Sequence, residues 1–181
     1  CILPLYQQCG VQGLAWLRGM YSFVLLDSRT GAVVAMRDHV GITPLYMGWS
    51  SDGALVFASE MKALRDACVR FELFPPGHVY DSREAQPLRR WYAPAWRTAV
   101  TGVAPLDLAS LRRGLEEAVK SHLMSDVPWG VLLSGGLDSS LVAALACRHV
   151  TPASVHSFTI GLANSPDLLA AQEVADFSNH C

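Results

Sequence analysis

The stretch VPWGVLLSGGLDSSLVAALA, residues 127–146, changes character at its middle. An apolar run gives way to Ser134, Gly135, Gly136, Leu137, Asp138, Ser139 and Ser140, after which apolar residues resume. The first run, WGVLL, reads as a strand, and DSSLVAALACRHV as a helix. Downstream, SVHSFTIGL is rich in β-formers and Ser165-Pro166-Asp167 opens a last helix. Strand, helix and strand in that order imply a parallel sheet, whose ligands bind beyond the C-terminal strand ends. Residues 134–140 therefore occupy a ligand-binding position.

The composition of that turn selects the ligand. Gly135 and Gly136 let backbone amides approach a guest closely, Ser134, Ser139 and Ser140 offer hydroxyls, and the helix start adds the positive end of its dipole. Phosphate or pyrophosphate is the natural guest. Asp138 would repel it unless a cation lies between them, and Mg²⁺ commonly bridges carboxylates to nucleotide phosphates. No Gly-Lys-Ser/Thr is present, so this is not a Walker A loop. The competing reading is a plain Gly-rich turn whose Asp138 and serines only cap the helix. Seven matching positions in a strand–turn–helix context weigh against it.

Bulk properties narrow the partners. Among 181 residues, 51% are hydrophobic and 17% charged, which supports a packed core. The net charge of −2 gives no general electrostatic reason to expect nucleic acid or an anionic membrane. No apolar run reaches the roughly 20 residues of a membrane span, and no signal peptide is evident at the start. Five scattered cysteines show neither a disulfide framework nor metal-ligand spacing, and fit a reducing cytoplasm. His39, His78, His122 and His156 likewise lack ligand spacing.

The first half has a different period. MYSFVLLD, AVVAMRD, ITPLYMGWS and ALVFASE read as antiparallel strands separated by turns such as SRTG and SDG, where Gly31 and Gly53 can take positive φ. EMKALRDAC reads as a short helical insertion and HVYDS as a further strand. Residues 93–106 suit a connecting segment, since the sequence from Trp91 onward loses both periodicities. Trp91, Tyr92 and Trp96 are expected to pack against the domains rather than form a stacking platform. Asp107 is positioned to cap a helix in which Leu108, Leu111, Leu115, Val119 and Leu123 recur at helical spacing.

SGGLDSS resembles the pyrophosphate-binding SGGxDS loop of N-type ATP pyrophosphatases. With KSHLMSDVPWGVLLSGGLDSSLVAALA and HSFTIGLANSPDLLAAQEVAD it is similar to the opening of the synthetase domain of glutamine-dependent asparagine synthetases. GMYSFVLLDSRTGAVVAMRDHVGITPLYMGW, FASEMKAL and FPPGH are similar to later strands of that family's glutaminase domain. The resemblance implies an α+β/α/β chain: residues 1–92 as the C-terminal part of an antiparallel β-sandwich, Ntn-type glutaminase domain, and residues 107–181 as the start of a parallel-sheet, Rossmann-like ATP pyrophosphatase domain. It also implies ATP-dependent amidation of L-aspartate through β-aspartyl-AMP, with ammonia drawn from L-glutamine. Ser134, Gly135, Gly136, Asp138, Ser139 and Ser140 would hold the pyrophosphate part of ATP, with Asp138 near Mg²⁺. Leu133 and Ile160 would contact adenosine, although Ile160 also reads as a plain core strand residue. The small-molecule partners are ATP, L-aspartate and L-glutamine or ammonia, and a homodimer is left open for the full-length protein.

No residue here is assigned catalysis. Cys1 could serve as an N-terminal thiol nucleophile, yet ILPLYQQCG resembles a helix well inside the glutaminase domain, so Cys1 is expected to be an internal residue exposed by truncation. An SGEGSDE-like segment and the helices of the aspartate pocket are missing, and this chain alone is expected to be inactive. Arg37 with Asp38, and Glu60 with Lys62, read as structural ion pairs. Two rival readings are an amide ligase of the β-lactam synthetase type and a noncatalytic remnant acting in assembly.

Overall fold

Hairpin turns set up the first half because each contains a glycine free to take positive φ. SRTG closes β1 (Ser22–Asp27) onto β2 (Ala32–Arg37), with Gly31 at φ 73° and its amide donating to the Asp27 carbonyl at 2.7 Å. SDG closes β3 (Tyr46–Trp49) onto β4 (Leu55–Ala58), with Gly53 at φ 84°. The computed structural model describes residues 1–97, 105–150 and 155–178, which fall into two units, Cys1–Thr101 and Gly102–Cys181. Part of the connecting segment expected at 93–106 lies outside the described residues.

In the first unit, β1, β2, β6 (His78–Asp81) and β7 (Leu88–Arg90) form one antiparallel sheet, and β4, β3 and β5 (Arg70–Leu73) another. Alternation along β2 gives each face of the first sheet its own core. Val34 and Met36 join Leu25, Val79 and Leu14, covered by Ile2, Leu5, Tyr6 and Val11 of helix α1 (Ile2–Gly13). Ala35, facing the other way, joins Leu45, Met47 and Phe74, with Phe57 and Tyr80 alongside. Helix α2 (Lys62–Arg65) is shorter than EMKALRDAC suggested. Lys62 does pair with Glu60, in a bridge that is mostly exposed.

Arg37 and Asp38 depart from the expected ion pair. Both are buried, at 6% and 0% exposure, and each directs its hydrogen bonds to backbone. Arg37 donates from Nε to the Thr43 carbonyl at 2.9 Å, from Nη2 to Gly41 at 2.7 Å and from Nη1 to Phe74 at 2.7 Å. Because Phe74 directly follows β5, this guanidinium fastens the end of β2 to the second sheet. Asp38 accepts amides from Tyr21, Val40, Gly41, Ile42 and Thr43. Trp91 donates to the Arg37 carbonyl at 3.2 Å and Tyr92 lies against His39, whereas Trp96 is 75% exposed. Two of the three aromatics thus pack as expected.

The second unit is built on α3 (Leu108–His122), β8 (Gly130–Leu132), α4 (Leu137–Cys147), β9 (His156–Phe158) and α5 (Pro166–Ser178). Asp107 caps α3 by accepting the Ala109 and Ser110 amides at 3.0 and 3.1 Å. Strands β8 and β9 are parallel, pairing Val131 with Ser157 and Leu132 with Phe158. Two small cores hold α4: Leu145 and Ala146 meet Val119 of α3, and Ala143 meets Ala171 and Ala175 of α5. Leu108 and Leu111, the first two members of the apolar stripe on α3, remain largely exposed.

Burial pushes the Asp38 carboxyl up, but the amides of Thr43, Ile42, Gly41 and Val40 outweigh it and hold the group below the usual carboxylate range. A carboxyl lowered on folding adds stability above its unfolded value, near pH ~3.9, and loses it as pH falls through the folded value. Asp38→Asn is therefore expected to lower unfolding free energy at pH 7 by about 1.5–3 kcal/mol, the range for a charged hydrogen-bonding group. Urea titrations at pH 7 and pH 3 should show a smaller acid loss in the variant than in the parent.

Candidate nucleotide-binding site

Parallel pairing of β8 and β9 sends the segments after both strands to the same sheet edge. The Leu133 amide continues the ladder by donating to the Phe158 carbonyl at 2.9 Å. The turn 134–136 then leads into α4, while Ile160 follows β9 two residues past its end. The sequence-derived candidates are thereby brought to one crest. Ile160 is 97% exposed, so it is not the core strand residue of the competing reading. Leu133 is 4% exposed and packs with Ala143, Ala171 and Ala175, which leaves its backbone rather than its side chain to meet a ligand.

Gly135 is fixed by conformation and by space. It sits at φ 74°, and a Cβ there would lie 2.5 Å from Ala170 Cβ and 2.7 Å from the Ala171 nitrogen. The turn consequently rests directly on the backbone of α5. Gly136, at φ −71° and ψ 162°, occupies the N-cap of α4 without supplying a side-chain cap. The amides opening α4 have no intrahelical acceptors and carry the helix's positive partial charge.

The hydroxyls differ in their commitments. Ser139 Oγ accepts the Ser134 amide at 3.3 Å, meets Ser134 Oγ at 2.9 Å and reaches the Gly136 carbonyl at 3.2 Å. Ser134 Oγ also lies 3.4 Å from the Gly136 amide. Ser140 Oγ is buried without a hydrogen-bond partner. Asp138 is exposed in the first turn of α4, and among the described residues no three His, Cys, Asp or Glu side chains cluster to bind a metal. A single carboxylate suits Mg²⁺ that arrives with phosphate oxygens, since this ion keeps few protein ligands. The hollow between α3 and α4, about 400 Å³ and lined by leucines such as Leu111, Leu115 and Leu141, includes none of the turn residues.

Sequence reasoning did not identify α5 as the backing of the turn. Its signal was present in the small residues Ala171 and Ala175, four apart and both buried. Cys1 is exposed and leads straight into α1, with no strand behind it to present a nucleophile. Gly135→Ala is expected to destabilise the second unit by about 1–3 kcal/mol through left-handed strain, plus the overlap with α5. Gly136→Ala, whose Cβ would meet only Ser134 Oγ at 3.5 Å, should cost less. Thermal unfolding of both variants checks this order.

Comparison with known proteins finds relatives for both halves of the chain. Residues 1–66 match the model of the glutamine amidotransferase domain, and residues 110–180 that of asparagine synthase. The chain is 52% identical, over 97% of its length, to asparagine synthetase [glutamine-hydrolyzing] 2 of Arabidopsis thaliana, of which the match covers 32%. It is likewise 52% identical to asparagine synthetase [glutamine-hydrolyzing] of Asparagus officinalis, covering 31% of that protein, and 50% identical to that of Sandersonia aurantiaca, covering 35%. The chain thus spans about a third of the length of the curated relatives it matches. Over that span, its two halves are similar to the glutamine amidotransferase and synthase parts of glutamine-hydrolysing asparagine synthetases.

Proposed function

We propose that the protein to which this chain belongs is a glutamine-hydrolysing asparagine synthase, and that residues 133–140 with Ile160 form part of its ATP site. The observation that carries the reading is a turn at the crest of parallel strands, opening a helix whose first amides have no partner within that helix. These amides would bind the pyrophosphate part of ATP, and the exposed Asp138 carboxylate would face its magnesium. The metal, when bound, neutralises phosphate charge and so favours departure of pyrophosphate. The chain's own residues act by position: Gly135 brings the backbone close, Leu133 anchors the turn beneath, and Ile160 offers an apolar contact to the adenosine.

The remaining assignments follow the same reading. Residues 1–92 form the later part of an Ntn-type glutaminase sandwich, supported by two antiparallel sheets that share the core around Met47 and Phe74. Residues 107–181 begin a Rossmann-like pyrophosphatase domain, joined to the first through 93–106. The substrates are ATP, L-aspartate and L-glutamine or ammonia. Cys1, Cys9 and Cys68 are free thiols, which supports a cytoplasmic setting. No described helix is long and apolar enough to cross a membrane.

Aspartate-dependent exchange of labelled pyrophosphate into ATP, measured on the full-length protein, tests the assignment. Exchange is expected with aspartate, and Asp138→Ala should reduce it by about 10²-fold, the upper range for losing a group that supports a metal. Exchange driven by another carboxylate would instead identify a related amide ligase. No exchange with any carboxylate would favour a noncatalytic role.

A further inference from the structure

We propose that the leucine groove between α3 and α4 seats an amphipathic helix of the same polypeptide, drawn from outside residues 1–181, with Asp or Glu bordering its apolar stripe. The groove lies apart from the ATP-site reading, since none of residues 134–140 line it. Two stripes make its walls. Leu108, Leu111 and Leu115 recur at helical spacing on α3, as do Leu141 and Leu145 on α4. Leu145 is buried and Leu115 joins the small core between the helices, whereas Leu108, Leu111 and Leu141 stay 66%, 59% and 43% exposed.

The groove is built before any occupant arrives. Asp107 caps α3 directly before Leu108, and Glu116 accepts from Arg112 on its own helix at 3.0 Å and from Arg148 at the end of α4 at 2.8 Å. These bonds tie the two helices together at the rim, and the remaining lining residues are all leucines. From Leu108 to Leu115 the wall runs about 10 Å, at ~1.5 Å per residue, which matches two turns of a third helix. Two arginines against one glutamate leave the rim with net positive charge, and each guanidinium commits only one of its five donors to Glu116. Carboxylates flanking an apolar stripe answer both features. Because the chain spans about a third of the length of its relatives, most of the polypeptide that could supply such a helix lies outside residues 1–181.

Hydroxyl-radical footprinting reads leucine exposure without any substitution, and compares the 181-residue chain with the full-length protein. Falling from 66% and 59% exposure to the 9% of buried Val119 should slow oxidation of Leu108 and Leu111 about sevenfold in the full-length protein. Equal oxidation in the two would overturn the proposal. Protection that disappears when the full-length protein is diluted, or that appears in the 181-residue chain as its concentration rises, would mean that a second copy fills the groove and would overturn it as well.

Photo-cross-linking identifies the occupant. Full-length protein carrying Leu111→benzoylphenylalanine should cross-link within one polypeptide, to a peptide outside residues 1–181 that has Asp or Glu beside its apolar residues. A cross-link to residues 1–181, or to another protein, would overturn the assignment. In the full-length protein, Arg148→Glu should return Leu111 oxidation towards the level of the 181-residue chain, whereas Arg148→Lys should keep it low. Unchanged oxidation in Arg148→Glu would mean an occupant without the acidic border and would also overturn the proposal.

Discussion

An anion gripped by backbone needs amides that no other protein atom has already taken. In the second unit the amides with no partner inside their own helix are those that open α4, while the amides of Ser134 and Gly136 are already held by serine hydroxyls. Everything else in that unit serves to hold this arrangement still. Leu133 is buried below it, α5 presses against Gly135, and α4 is held between the small cores shared with α3 and α5. Asp138 adds an exposed carboxylate in the first turn of α4.

The first unit uses the same backbone chemistry for a structural purpose. Around Asp38, a carboxylate collects loop amides, and Arg37 next to it collects carbonyls from Gly41, Thr43 and Phe74. Here the charges are internal, fixed and buried, and they connect two sheets rather than a ligand. Unlike an exposed ion pair such as Glu60 with Lys62, this pair of residues satisfies backbone groups that would otherwise be buried and unmet. Its position at the end of β2 gives the two residues a structural task, since the ion pair expected from sequence is replaced by bonds from each charge to backbone.

The sequence made periodic and punctuated features legible. Gly31 and Gly53 marked their turns, Asp107 its helix, and the SGGLDSS run its place between strand and helix, because each depends on local rules. Features without a local rule stayed hidden. RFEL and LRR are three or four residues long and partly charged, so β5 and β7 give no usable alternation and become strands only through their neighbours. Leu133 read as a ligand contact from its position in a motif, yet its side chain belongs to the core with Ala143 and Ala171. That Gly135 abuts Ala170 could not be read from either position alone, since the contact joins residues far apart in the chain.

That last contact has a bearing on biogenesis. Gly135 is synthesised roughly 35 residues ahead of Ala170, so the turn leaves the ribosome before the helix that shapes it, at the usual pace of ~5–20 residues per second. Until α5 folds back, the glycines are free to wander and the nascent chain presents no formed cradle. Completion of the turn is thereby tied to translation having passed α5.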